Sequence, residues 1–164
     1  MLESHYLSFF IVITVQFLFF VIHSLAVGER NTILKHTFQG MALGVPFGIC
    51  FDLLVGEFLG LYTYAEGFNL PFLFINGLFS YGFMIANVRL LYHHSLLHTY
   101  LWSVCLAVVY ELTNYIFPVW NWTFLPSAAF EYAIVILVLY AGITVLMMGA
   151  LKLIYRVHFR LVPF

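Results

Sequence analysis

The sequence predicts an all-α integral membrane protein, a bundle of five transmembrane helices forming one domain over residues 1–164. Three observations carry this. Hydrophobic residues make up 64% of the 164 residues and charged residues only 8%, against about 25% charged in a soluble domain. Five stretches are apolar over the roughly 20 residues that a bilayer crossing needs. The connectors between them are too short to hold a soluble domain. Six basic and seven acidic residues leave no basic patch for nucleic acid and no solvated tail. Disorder and a disulfide-stapled fold are excluded by the same composition. Runs such as 9–20 lack the alternation of β-barrel strands.

The predicted spans are 6–27, 40–61, 71–92, 97–117 and 128–155. The first could be taken for a secretion signal, because Ser24 and Ala26 resemble a small-residue cleavage site. Signal peptides begin with positive charge, whereas the first six residues offer only Glu3 and His5; the stretch reads as a mature helix. The second span is marked by glycines and contains Pro46, which is expected to kink it and free a carbonyl near residue 42. The third opens on Pro71 and carries Asn76 and Asn87 as polar glue. The fourth contains Glu111 and Asn114, and the fifth is long enough to tilt. Cys50 and Cys105 stand singly, with no Cys-x-x-Cys pair to argue for redox chemistry, and read as packing residues.

Arg30, Lys35, Arg89, Lys152, Arg156 and Arg160 all fall on one side of a five-span plan. By the positive-inside rule that side is cytoplasmic, with the N-terminus outside and the C-terminus inside. The expected location is a membrane crossed several times, the cytoplasmic one in a bacterium. The Asn121-Trp122-Thr123 sequon lies on the outer side but hugs the membrane, and reads as a chance match to a generic motif.

Gly40, Gly44, Gly48, Asp52, Gly56 and Gly60 recur every four residues. Such spacing keeps small residues on one slowly drifting helix face and lets another helix approach closely. Asp52 interrupts this ridge near mid-depth, where a carboxylate facing lipid would cost several kcal/mol, so it is expected to face the bundle interior. Intramembrane acids are functional by default, although a hydrogen-bonded structural role is the plain alternative.

The region after Asp52 is echoed further on. Phe51-Asp52 is followed by Tyr62-Thr63-Tyr64 and then Pro71, and Tyr110-Glu111 by Trp120-Asn121-Trp122 and then Pro126. In each unit an acid inside a span precedes an aromatic-x-aromatic pair and a proline that opens the next span. Spans 2–3 and 4–5 could thus form a parallel internal repeat about an axis along the membrane normal. Asn114 shares a helix face with Glu111 and could hold or orient its carboxyl. Glu57 is expected to face a different neighbour or the outer interface, and Glu131 lies near the outer start of the fifth span. Tyr62, Tyr64, Trp120 and Trp122 fit an interfacial aromatic belt, or the walls of a pocket whose ring faces stabilise a carbocation. His94 and His98 have the i, i+4 spacing of a metal pair, but with His93 they read better as interfacial histidines. Lys152 lies too near the end of its helix to be a retinal-type Schiff-base lysine. No metal, nucleotide or other cofactor is called for.

The stretch Phe51-Asp52-Leu53-Leu54, Gly60-Leu61-Tyr62-Thr63-Tyr64 and Gly67-Phe68-Asn69-Leu70-Pro71 resembles the membrane lycopene cyclases of the heterodimeric type, over about residues 45–150. The resemblance implies cofactor-independent acid–base chemistry on carotenoid end groups, in which a carboxylic acid protonates an alkene, a ring closes and a base removes a proton. That family follows its proline with paired glutamates; here Pro71 is followed by Phe72-Leu73-Phe74. Only Asp52 and Glu111 are carried over as catalytic residues. The expected partner is a membrane lipid or apolar isoprenoid substrate. Two other classes stay open: a non-catalytic subunit that docks a like or unlike partner through the Gly40–Gly60 ridge, and a small proton- or solute-conducting protein.

Overall fold

The computed structural model describes residues 2–64, 67, 69–123 and 129–159; Arg160, Pro126 and Phe68 lie outside these, as does the side chain of His93. Five helices are long and apolar enough to cross a membrane: α1 (Tyr6–Ala26), α2 (Arg30–Phe58), α3 (Leu70–Arg89), α4 (Leu96–Ile116) and α5 (Phe130–Tyr155). They mark a multi-pass membrane protein. α2 starts ten residues, almost three helical turns, before the expected residue 40, because residues 30–39 continue its hydrogen bonding. Helix runs through Pro46 over Ile33–Phe51.

α3 is the central helix, with 72% of its most apolar stretch buried against 28–39% in the others. It packs on α1, α2 and α5, while α4 pairs with α5. Its sequence suits that place: Gly77, Gly82 and Ala86 are small, and Asn76, Ser80 and Asn87 are buried polar residues that would be costly against lipid. α3 is started by Asn69, whose side chain accepts a hydrogen bond from the Phe72 N–H at 3.0 Å, with Pro71 in the first turn, the usual chemistry of a helix N-terminus. Ser95 caps α4 in the same way, accepting from the His98 N–H at 3.2 Å.

The glycine ridge meets α3 of the same chain. A Cβ on Gly44 would lie 2.3 Å from the Gly77 carbonyl oxygen, one on Gly40 2.3 Å from that of Gly82, and one on Gly48 2.6 Å from the Tyr81 ring. The face proposed for docking another protein is thus occupied over Gly40, Gly44 and Gly48. Gly56 is buried in a widened turn. Gly60 is not a packing residue: it lies beyond the helix end with φ +63° and open space around its Cβ position. It turns the chain into the strand that follows, a left-handed conformation suited to glycine.

Between α2 and α3 the chain forms strand β1 (Tyr62–Tyr64), and between α4 and α5 strand β2 (Trp120–Trp122). They pair antiparallel, Tyr62 opposite Trp122, Thr63 opposite Asn121 and Tyr64 opposite Trp120. Thr123 adds a side-chain hydrogen bond to the Gly60 carbonyl. Cys50 and Cys105 are free and lie on exposed helix faces rather than in helix contacts.

Candidate functional site

Asp52 is fully buried. Its Oδ1 accepts hydrogen bonds from the hydroxyls of Tyr62 at 2.5 Å, Tyr81 at 2.6 Å and Tyr64 at 3.1 Å. Its Oδ2 accepts from the Asn76 amide at 3.1 Å, and the same amide donates to the Tyr64 hydroxyl at 2.9 Å. The donors come from β1 and α3. Asn76 and Tyr81 are five residues apart, which on a regular α-helix separates them by about 140°. Gly77–Tyr81 is a wide, π-type turn, and that turn lets both side chains reach one carboxylate. Asp52 itself opens a second such segment, Asp52–Phe58. Wide turns inside α-helices recur at functional sites.

Glu111 is the centre of a second cluster. Trp122 Nε1 donates to it at 3.1 and 3.3 Å, and the hydroxyls of Tyr132 and Tyr140 each donate at 2.9 Å. The two clusters are built alike. Tyr81 lies 29 residues after Asp52 and Tyr140 lies 29 residues after Glu111. Each acid stands on a helix that leads into a strand, and takes donors from that strand and from the next helix. The two strands pair about a local two-fold centred on Thr63 and Asn121.

One small cavity, about 50 Å³, lies between the clusters. Its walls include Tyr62, Tyr64 and Tyr81 from the Asp52 side and Trp122 and Tyr140 from the Glu111 side. Both aromatic pairs therefore contribute to the cavity wall. The carboxylates stand one layer behind the cavity, and tyrosine hydroxyls connect them to it. Among the described residues, two buried donors of the wall, the Tyr110 hydroxyl and Trp120 Nε1, have no hydrogen-bond partner. Burial, reinforced by the Asp52 charge, pushes the phenols of Tyr62 and Tyr64 above the ordinary tyrosine value. Both remain neutral donors at physiological pH.

Asn114 has a different role from the one its spacing suggests. Its Oδ1 accepts from the N–H groups of Val119 and Trp120 at 2.9 and 3.1 Å, and its Nδ2 donates to the Trp120 carbonyl at 2.8 Å. It fixes the turn into β2, and so places Trp120 and Trp122. Glu57 and Glu131 are exposed and outside both clusters. At the far end of the bundle the rings of His94 and His98 stack at 4.0 Å; among the described residues no group of three or more His, Cys, Asp or Glu is arranged to hold a metal ion.

Sequence reasoning placed both acids and the four strand aromatics here but missed Tyr81, Tyr110, Tyr132 and Tyr140. Asn76 was assigned only to helix packing. The identical spacing of Tyr81 and Tyr140 from their acids was the available signal. Comparisons with family models, curated proteins and solved structures gave no match. The resemblance to the lycopene cyclases rests on the quoted residues alone.

Proposed function

We propose that the protein is a membrane enzyme that carries out acid–base chemistry on an unsaturated isoprenoid-type lipid. The reading is carried by one observation: an aromatic cavity is bracketed by two acids, Asp52 buried and Glu111 half-buried, each reached through a tyrosine that both touches the carboxylate and lines the cavity. In the proposed cycle one acid begins protonated and the other ionised. The first delivers a proton through its tyrosine hydroxyl to a carbon–carbon double bond, leaving a carbocation. Aromatic faces around a cation contribute electrostatic stabilisation. The cation closes a ring or relocates, and the second tyrosine–carboxylate pair removes a proton from the neighbouring carbon. One proton enters and one leaves, so the net change is a cyclisation or isomerisation with no change in oxidation state. General acid–base catalysis of this kind contributes typically 10²–10⁴-fold.

The basic residues support an orientation with the N-terminus outside and the strand pair near the outer surface. A cysteine introduced for Thr63, in a chain lacking Cys50 and Cys105, tests it by reaction with an impermeant maleimide on intact cells.

The function is tested by producing the protein in a host that makes lycopene and other isoprenoids and analysing all pigments and lipids by chromatography and mass. A new product, lost in Asp52→Asn and Glu111→Gln but kept in Glu57→Gln at equal protein levels, supports the reading. Lipids identical to those of the empty host oppose it. Product and protein falling together would make the acids structural.

A further inference from the structure

A second, larger space opens beside the cavity. It is a groove of about 360 Å³ between α2 and α5, lined by apolar residues that include Leu43, Pro46, Phe47, Leu146 and Ala150. At one end the two helices are tied by the Tyr155 hydroxyl, which donates to the Gln39 carbonyl at 3.1 Å. Phe51 lines both this groove and the cavity between the acids, and no other residue does so. Phe51 therefore borders both a greasy trough on the outside of the bundle and a polar-tipped chamber inside it.

The chamber and the trough ask for different chemistry. Tyr110 and Trp120 line the chamber; Tyr110 is 3% exposed, and the Tyr110 hydroxyl and Trp120 Nε1 are buried with no partner among the described residues. Buried donors left without an acceptor are costly. A pure hydrocarbon would leave both unmet, whereas an oxygen atom with two lone pairs could accept from both. The chamber has room for a few atoms only, while the trough suits an extended chain.

We infer that this site binds a lipid whose oxygen-bearing end, a hydroxyl or carbonyl, enters past Phe51 to accept hydrogen bonds from Tyr110 and Trp120, while its apolar chain lies in the groove between α2 and α5. The inference rests on the acid–base reading for its interest, since it sets the unsaturated carbons next to the oxygen against the tyrosine–carboxylate pairs. It also departs from the resemblance to the lycopene cyclases, because it assigns an oxygenated substrate instead of a hydrocarbon.

Binding can be read without turnover. Purified protein in nanodiscs is illuminated with a farnesol analogue carrying a mid-chain diazirine, or with the matching hydrocarbon, and cross-links are mapped by mass spectrometry. The alcohol is expected to label the segments around Cys50 and Leu146 saturably, in competition with unlabelled farnesol and several-fold more than the hydrocarbon does. Tyr110→Phe should weaken the alcohol about fivefold, the loss of one hydrogen bond, and leave the hydrocarbon unchanged. Ala150→Trp should block the groove for both; Leu146→Phe replaces it if that protein does not accumulate. Equal labelling by alcohol and hydrocarbon, or a Tyr110→Phe protein that binds farnesol as before, would overturn the inference. Saturable, alcohol-selective labelling of a parent protein that forms no product in the lipid-producing host would keep the binding site even if the acid–base reading fails.

Discussion

Tyr62 and Trp122 face each other across the two-stranded pair, with ring centroids 5.1 Å apart, and each donates to a different acid, Tyr62 to the buried Asp52 and Trp122 to the half-buried Glu111. The strand pair is therefore the coupling between the two clusters as well as the lid over them. Its six residues hold the α2–α3 unit against the α4–α5 unit at the end of the bundle where the acids lie. Both units contribute walls to one cavity because this pairing sets their register.

Trp122→Phe keeps an aromatic ring against Tyr62 but removes the donor to Glu111. A hydrogen bond to a charged acceptor contributes about 1.5–3 kcal/mol, and Glu111 retains Tyr132 and Tyr140, so we expect a loss at the lower end of that range. Thermal unfolding in detergent measures it. A variant as stable as the parent would show that the Trp122–Glu111 contact carries no weight.

The glycines of α2 give a sharper contrast. Gly44→Leu or Gly48→Leu puts a side chain where the α3 backbone or the Tyr81 ring already lies 2.3 and 2.6 Å from the Cβ position, and should prevent accumulation of folded protein. Gly142→Ala and Gly149→Ala, on α5 with open space around them, should be neutral or stabilise by up to about 1 kcal/mol through helix propensity. Folded yield and melting temperature of the four variants, measured side by side, check this.

The five helices and both acids were legible in the sequence because they depend on composition and on i, i+4 spacing. The identity of the helix that meets Gly40, Gly44 and Gly48 was not, since a small-residue stripe specifies close approach without naming a partner. Gly60 was misread because an unbroken four-residue repeat hides the helix end that its left-handed conformation makes. Asn76 and Tyr81 escaped notice as a pair because wide turns break the 3.6-residue rule used to place side chains on one face. Asn114 was drawn to Glu111 by spacing, but the backbone groups of the turn into β2 compete for the same amide and win.

Alkaline pH should destabilise the strand end of the bundle. The phenols of Tyr62 and Tyr64 are held above their ordinary value of 10.0 by burial and by Asp52. The unfolded chain therefore releases these protons first as pH rises. Their contribution is present below about pH 10, and is lost above it as the unfolded state ionises while the folded one does not. Melting temperature should be flat through neutral pH and fall above that point. Tyr64→Phe should flatten part of the alkaline slope; an unchanged slope would assign it to other groups.

Tyr81→Phe and Tyr140→Phe provide the most direct test of the proton path. Each removes one oxygen and leaves the ring in its wall of the cavity. Asp52 keeps Tyr62, Tyr64 and Asn76 as donors, and Glu111 keeps Tyr132 and Trp122, so folding should survive both changes. If these hydroxyls carry protons between carboxylate and substrate, each variant should lose at least the hundredfold typical of a positioned acid or base, with protein yield little changed. The double variant should be scarcely worse than either single one, because both groups serve one proton cycle and such losses are not additive. Full product formation by either single variant would remove its tyrosine from the path. A loss that merely tracked falling protein yield would instead assign the tyrosines to holding the two halves of the bundle together.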